Sequence, residues 1–234
     1  MNIGFDAKRA FHNNTGLGNY SRTLITGLAQ FYPEHQYYLF NPKASSHFPK
    51  PTFKQVHEVR PSDWLSKRLS SAWRSSWVKK DLKRLHIDLY HGLSHEIPNG
   101  IRETGIKSVV TIHDLIFERY PDQFSKIDVK IYRHKFRYAC KHADRVIAIS
   151  NQTRQDIIDF YQTDPGKIDI CYQSCHPAFA TTTSEEVKEG FRKKYQLPPS
   201  FFLSVGSIIE RKNLLNICKA YLHYKDAPPL VVIG

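Results

Sequence analysis

Short runs of β-branched and aromatic residues alternate along this chain with longer stretches of helical period. Residues 2–6 (NIGFD), 37–40, 55–59, 87–91, 108–112, 145–149 and 168–172 read as strands bounded by turn-forming residues. Between them, Leu24, Ile25, Leu28 and Phe31 predict a helix that begins near Gly18 and ends before Pro33. Leu65, Leu69, Ala72 and Trp73, then Val78, Leu82 and Leu85, mark the apolar face of a helical stretch over 64–86. Val129, Tyr132, Phe136, Ala139, Cys140 and Ala143 form one face of a helix over 127–143, and Ser150 is placed to N-cap a helix ending near Tyr161. This repeated β-α-β alternation predicts an α/β fold: a doubly wound, mostly parallel, Rossmann-like sheet over residues 1–180.

The pattern weakens after that. Thr181-Thr182-Thr183-Ser184 reads as a linker and 185–195 as a polar helix, so 181–199 divide the chain. Residues 200–234 then supply two strands (201–205 and 230–233) around a loop and a helix over 214–224. A segment below about 40 residues seldom buries enough surface to fold unaided. Residues 200–234 are therefore expected to be the first β-α-β unit of an incomplete second Rossmann-like domain, leaning on the first domain or self-associating with another copy.

Composition adds little until charge is located. Hydrophobic residues at 41% and charged residues at 24% of 234 are ordinary for a globular chain. No stretch reaches the roughly 18 apolar residues of a membrane span, and the N-terminus has no apolar signal region, so a cytoplasmic location is expected. The net charge of +12 is concentrated. Residues 67–86 carry seven basic residues against Asp81, and 126–145 carry seven against Asp128 and Asp144. Together they hold eleven of the twelve net charges. Such concentration points to an anionic ligand or surface. On the predicted helices, Lys79, Lys80, Lys83, Arg84, Lys130, Arg133 and Arg137 are the candidates for contact with an acceptor or with the inner face of a membrane.

Candidate chemistry begins where the strand over 108–112 stops, at His113-Asp114. In open α/β sheets ligands bind in the crevice beyond the carboxyl ends of the strands. A polar pair there costs desolvation energy unless it is satisfied or used. Gly16 and Gly18 lie between the first strand and the first long helix, where glycines admit close approach of a ligand and helix N–H groups favour a phosphate. A dinucleotide fingerprint fits poorly, because Ser21 stands at the third glycine position and Asn41-Pro42 follow the next strand where an acidic residue would be expected. His91-x-x-x-His95-Glu96 and Cys171-x-x-x-Cys175-His176 have metal-like spacing without a matching second set, so both are read as structural and no metal or cofactor is expected.

Four segments, in this order, resemble glycosyltransferase family 4, the retaining group with the two-domain GT-B fold: GFDAKRAFHNNTGLGNY, SVVTIHDLIFERYPDQF, ADRVIAISNQTRQDI and FFLSVGSIIERKNLLNICKAY. The resemblance implies a metal-independent transferase acting on a nucleotide sugar, such as GDP-mannose, and on a glycan or lipid-linked glycan acceptor in polysaccharide biosynthesis. It implies that Gly16 and Gly18 lie beside the donor diphosphate, that the catalytic His113 reaches the transferred sugar, and that Arg211 and Lys212 neutralise the departing nucleoside diphosphate. Residues 172–177 (YQSCHP) lack the glycine many relatives carry at the hinge, and the chain stops before the family's donor-binding glutamates. A truncated fragment with little or no turnover is the expectation. The competing expectation is a non-enzymatic basic module for membrane or nucleic acid, with tryptophans stacking on bases, although no recognised nucleic-acid motif is present.

Overall fold

The structure, a computed structural model, describes residues 1–45, 48–224 and 226–234. It divides into two compact units, Met1–Ser174 and Cys175–Gly234.

The first unit is built on seven strands: β1 (Asn2–Asp6), β2 (Gln36–Phe40), β3 (Val56–Val59), β4 (Leu89–Gly92), β5 (Lys107–Ile112), β6 (Arg145–Ala148) and β7 (Ile168–Ile170). All neighbours pair in parallel, in the order β3-β2-β1-β4-β5-β6-β7. The chain winds outward in one direction from β1 to β3 and in the other from β4 to β7. The reversal between β1 and β4 is the topological switch point, where such sheets bind ligands.

Alternate side chains of a strand face opposite sides, so a strand covered twice is apolar on both. In β2, Tyr37 and Leu39 enter one core cluster with Phe5 and Ile25, while Phe40 enters the other with Trp73, Leu82 and Tyr90. Ile25 comes from α2 (Gly16–Phe31), which follows a short α1 (Lys8–His12) in the polar segment between β1 and α2.

The stretch over 64–86 is not one helix. It is α3 (Trp64–Arg68), α4 (Ser70–Ala72), a π-helical turn (Trp73–Trp77) and α5 (Val78–Arg84). The extra residue per turn drives Trp73 into the core at 1% exposure, where its indole N–H donates to Asp81 at 2.9 Å. After β5 come α6 (Ile116–Arg119), α7 (Lys126–His142), N-capped by Ser125, and α8 (Asn151–Tyr161). Ser150 caps α8 by accepting from Thr153 N–H at 3.0 Å.

The second unit holds α9 (Glu185–Tyr195), β8 (Phe202–Val205), α10 (Leu214–Tyr221) and β9 (Leu230–Ile233), with β8 and β9 paired in parallel. None of its described residues is buried, and Val205 and Leu222 are 70% and 78% exposed. No helix among the described residues of either unit is long and apolar enough to cross a membrane.

Candidate active site at the carboxyl edge of the parallel sheet

His113 follows β5 directly and is held on every side. Its Nε2 lies 2.9 Å from Leu93 O, and a carbonyl only accepts, so Nε2 carries the proton. Nδ1 is then the acceptor, and the Gln173 side-chain amide donates to it at 3.0 Å. The Tyr20 ring stands edge-on to the imidazole at 4.7 Å, and Thr153 Oγ1 donates to the His113 carbonyl at 3.0 Å. Burial lowers the His113 pKa below its ordinary 6.5, opposed by the Leu93 hydrogen bond and by Asp114. The ring is therefore neutral near pH 7, in a defined tautomer.

Two more histidines lie beneath it. His91 Nε2 bonds to Thr111 Oγ1 at 2.8 Å, and Thr111 Oγ1 lies 3.1 Å from Tyr20 OH. Burial and the His113 charge lower the His91 pKa to about 4. His95 has a left-handed backbone (φ 67°), stacks on Phe136 at 4.2 Å, and accepts at Nδ1 from His113 N–H at 3.4 Å. A non-glycine residue in that conformation costs on the order of 1–3 kcal/mol unless its surroundings fix it. Here the ring stack and the His95 N–H bond to Thr111 O at 3.0 Å do so. These contacts commit His91 and His95 to supporting His113.

At the neighbouring switch point the π turn aims Arg74 inward. Its Nε lies 3.0 Å from both Asp6 oxygens and its Nη1 2.9 Å from Glu96 Oε2. Lys135 Nζ reaches the other Glu96 oxygen at 3.2 Å. Burial opposes the Arg74 charge, but Asp6 and Glu96 outweigh it and raise the guanidinium pKa. Sequence reading counts Arg74 only among surface charges, whereas it joins β1, the π turn and the segment after β4.

The glycines play different parts. A Cβ on Gly18 would stand 1.8 Å from Asn13 O, and the Gly18 N–H already donates to Asn13 Oδ1 at 3.0 Å. Close packing of the loop on α2 therefore accounts for Gly18. Gly16 is exposed in the first turn of α2, with nothing within 4 Å of an added Cβ. Arg211 and Lys212 are exposed in a short helical turn between β8 and α10, in the second unit.

Of the basic surface candidates, Lys80, Lys83, Arg84, Lys130, Arg133 and Arg137 are exposed and Lys79 is half-buried. Arg133 pairs with Glu118 at 2.7 Å and Arg84 with Asp81 at 2.7 Å, while Arg137 lies 5.7 Å from the Tyr161 ring centre. Of the tryptophans in this stretch, Trp73 is buried and Trp77 half-buried, while Trp64 is exposed beside Arg68; Arg74 is paired with Asp6 and Glu96 and does not face outward.

A doubly wound parallel sheet with helices on both faces defines an α/β domain of the Rossmann-like class, here with a fixed neutral histidine beside its switch point. Solved glycosyltransferases share this fold. A glycosyltransferase from Rickettsia africae ESF-5 superposes on the whole chain with a TM-score of 0.55 at 14% identity, the chain covering 68% of it. Anabaena Alr3699/HepE, solved with UDP and glucose, gives 0.58 at 16% identity over 99% of this chain and 60% of its own. Residues 14–178 match the sequence profile of Glycosyltransferase Family 4, and the chain belongs to that family. The O-antigen chain mannosyltransferase RfbU of Salmonella typhimurium is 25% identical over 124 residues, which are 53% of this chain and 31% of that protein. The match thus spans about a third of the length of that curated relative.

Proposed function

We propose that this chain is the acceptor-side part of a retaining glycosyltransferase that transfers a sugar, mannose in the first instance, from a nucleotide sugar to a glycan or lipid-linked acceptor in polysaccharide biosynthesis. In this reading residues 1–180 form the acceptor-side domain, 181–199 a linker and polar helix, and 200–234 the start of a donor-binding domain. The acceptor hydroxyl replaces the nucleoside diphosphate at the sugar C1 with retention of configuration.

The observation that carries the reading is His113: a buried, neutral imidazole of fixed tautomer at the carboxyl edge of a family 4 sheet. Neutrality matters because a sugar hydroxyl that displaces Gln173 can donate to Nδ1, with Nε2–H still on Leu93 O, without charge being added near the reacting carbon. Gly16, open to close approach, and Gly18 border the diphosphate, and Arg211 and Lys212 supply fixed positive charge as the dianionic leaving group develops. Lys79, Lys80, Lys83, Arg84, Lys130, Arg133 and Arg137 face an anionic acceptor or the membrane that carries it. The mannosyl donor is favoured by the likeness to a mannosyltransferase, and a nucleotide sugar in general by the UDP complex of a structural neighbour.

Calorimetric titration of the chain with GDP-mannose and UDP-glucose tests this. The expected result is a Kd of about 1 mM for GDP-mannose, weaker binding of UDP-glucose, about tenfold loss in His113→Ala, and little or no transfer. Equal affinity of His113→Ala and the parent chain for GDP-mannose, or no binding at all, contradicts the reading, and robust transfer contradicts its fragment half.

A further inference from the structure

A pocket of about 590 Å³ opens at the switch point, beyond the carboxyl ends of β1, β2 and β4. It includes none of Gly16, Gly18 or His113. Its volume falls within the range of small-molecule sites, roughly 300–1,000 Å³.

Its charge is unbalanced in one direction. Arg74 and Lys135 are set against Asp6 and Glu96, and those four groups compensate one another. Lys8 and Lys43 also line the pocket, and neither forms an ion pair among the described residues. His134 adds an imidazole, and Ser70, only 6% exposed, contributes a hydroxyl with no partner among the described residues. Glu96 is the one carboxylate among the lining residues, and both of its oxygens are taken, by Arg74 and by Lys135. Burial, then the charges of Arg74 and Arg9, lower the Lys8 pKa against the opposing pull of Glu96 and Asp6, a net cost that an incoming anion would relieve. Two ammonium groups outside any direct ion pair and a hydroxyl donor around a small-molecule cavity make a receptor for a phosphate.

We infer that this pocket holds the phosphate or diphosphate of the acceptor, with Lys8 and Lys43 as its principal contacts and Ser70 as a donor. The acceptor half of that statement rests on the glycosyltransferase reading, and the phosphate half rests on the pocket. A lipid-linked diphosphate and a free sugar phosphate share the recognised chemistry.

The test is calorimetry on the full chain with inorganic pyrophosphate, farnesyl diphosphate, glucose 1-phosphate and, separately, GDP-mannose. The parent is compared with the double variant Lys8→Gln/Lys43→Gln and with Lys54→Gln, an exposed lysine outside the pocket. Circular dichroism confirms that each variant is folded. The expected result is about tenfold or greater loss of pyrophosphate affinity in the double variant alone, with GDP-mannose affinity unchanged. Tighter binding of farnesyl diphosphate than of glucose 1-phosphate supports a lipid-linked source, and the reverse order a free sugar phosphate. Pyrophosphate affinity equal in all three proteins, or undetectable in the parent, overturns the proposal. Loss of GDP-mannose together with pyrophosphate makes the pocket a donor site and overturns the acceptor assignment. If GDP-mannose fails to bind the parent while the lysine-dependent pyrophosphate site remains, the glycosyltransferase reading fails and the phosphate site stands.

Discussion

The imidazole of His113 is specified by groups from remote parts of the chain. Leu93 accepts from Nε2, Gln173 donates to Nδ1, and Tyr20 and His95 enclose the faces and edge of the ring. With its NH2 turned to Nδ1, Gln173 bonds to the neutral form; a protonated Nδ1 would require the amide to turn over and present Oε1. Burial is what lowers the His113 pKa, so Gln173→Ala, which removes the donor and opens that side of the ring to water, should let it rise toward 6.5, as read by a histidine NMR titration. An unchanged or lower pKa would show that the bond does not hold the tautomer. His113 is legible in the sequence because a strand of β-branched residues ends on it. Its partners are not, since Gln173 and Tyr20 are single side chains 60 and 93 positions away and carry no periodic signal of their own.

Elements were recoverable wherever the apolar period was unbroken. The strands, the bounds of α7 and the ends of α8 follow from spacing and capping, and the structure places them within a residue or two; of the apolar face read for α7, all but Tyr132 is buried. The stretch over 64–86 reads as one helix because its apolar residues recur throughout. The step from Trp73 to Val78 is five residues, however, between steps of four on either side, and that is the trace of the π turn. The turn brings Arg74 to Asp6, so the buried ion network was hidden with it. The start of α2 is similarly two-sided. Gly18→Ala should cost about 1–3 kcal/mol in chemical denaturation, because its Cβ meets backbone at 1.8 Å. Gly16→Ala should leave stability within about 0.5 kcal/mol of the parent, since its Cβ meets nothing, yet weaken nucleotide-sugar binding. Equal stability losses would refute the division of roles.

At the scale of the molecule, the α/β alternation and family membership were both readable, and the chemistry of the buried histidines was not. His91, His95 and His113 all have pKa values below 6.5, so the folded state keeps them neutral while the unfolded chain takes up protons first. Their stabilisation is complete above pH 6.5 and is lost as pH falls through the window down to about 4, the value for His91. His91 alone is worth on the order of 3 kcal/mol across it. The thermal midpoint should fall steadily from pH 7 to pH 4.5, and His91→Gln should flatten that slope. A midpoint independent of pH in this range would remove the histidines from the core. The second unit follows a different rule. With no buried residue described in it, its β8 amides should exchange with solvent faster than those of β5.

The central claim is that a neutral His113 at the sheet edge meets the sugar of a nucleotide donor. The direct measurement is the ¹⁵N signals of the His113 ring during titration with GDP-mannose, alongside the Gly16 amide. Both should shift with one saturable dependence while the ring keeps its Nε2–H tautomer. Saturable binding that leaves the His113 ring unperturbed, or that converts it to the charged form, would contradict it.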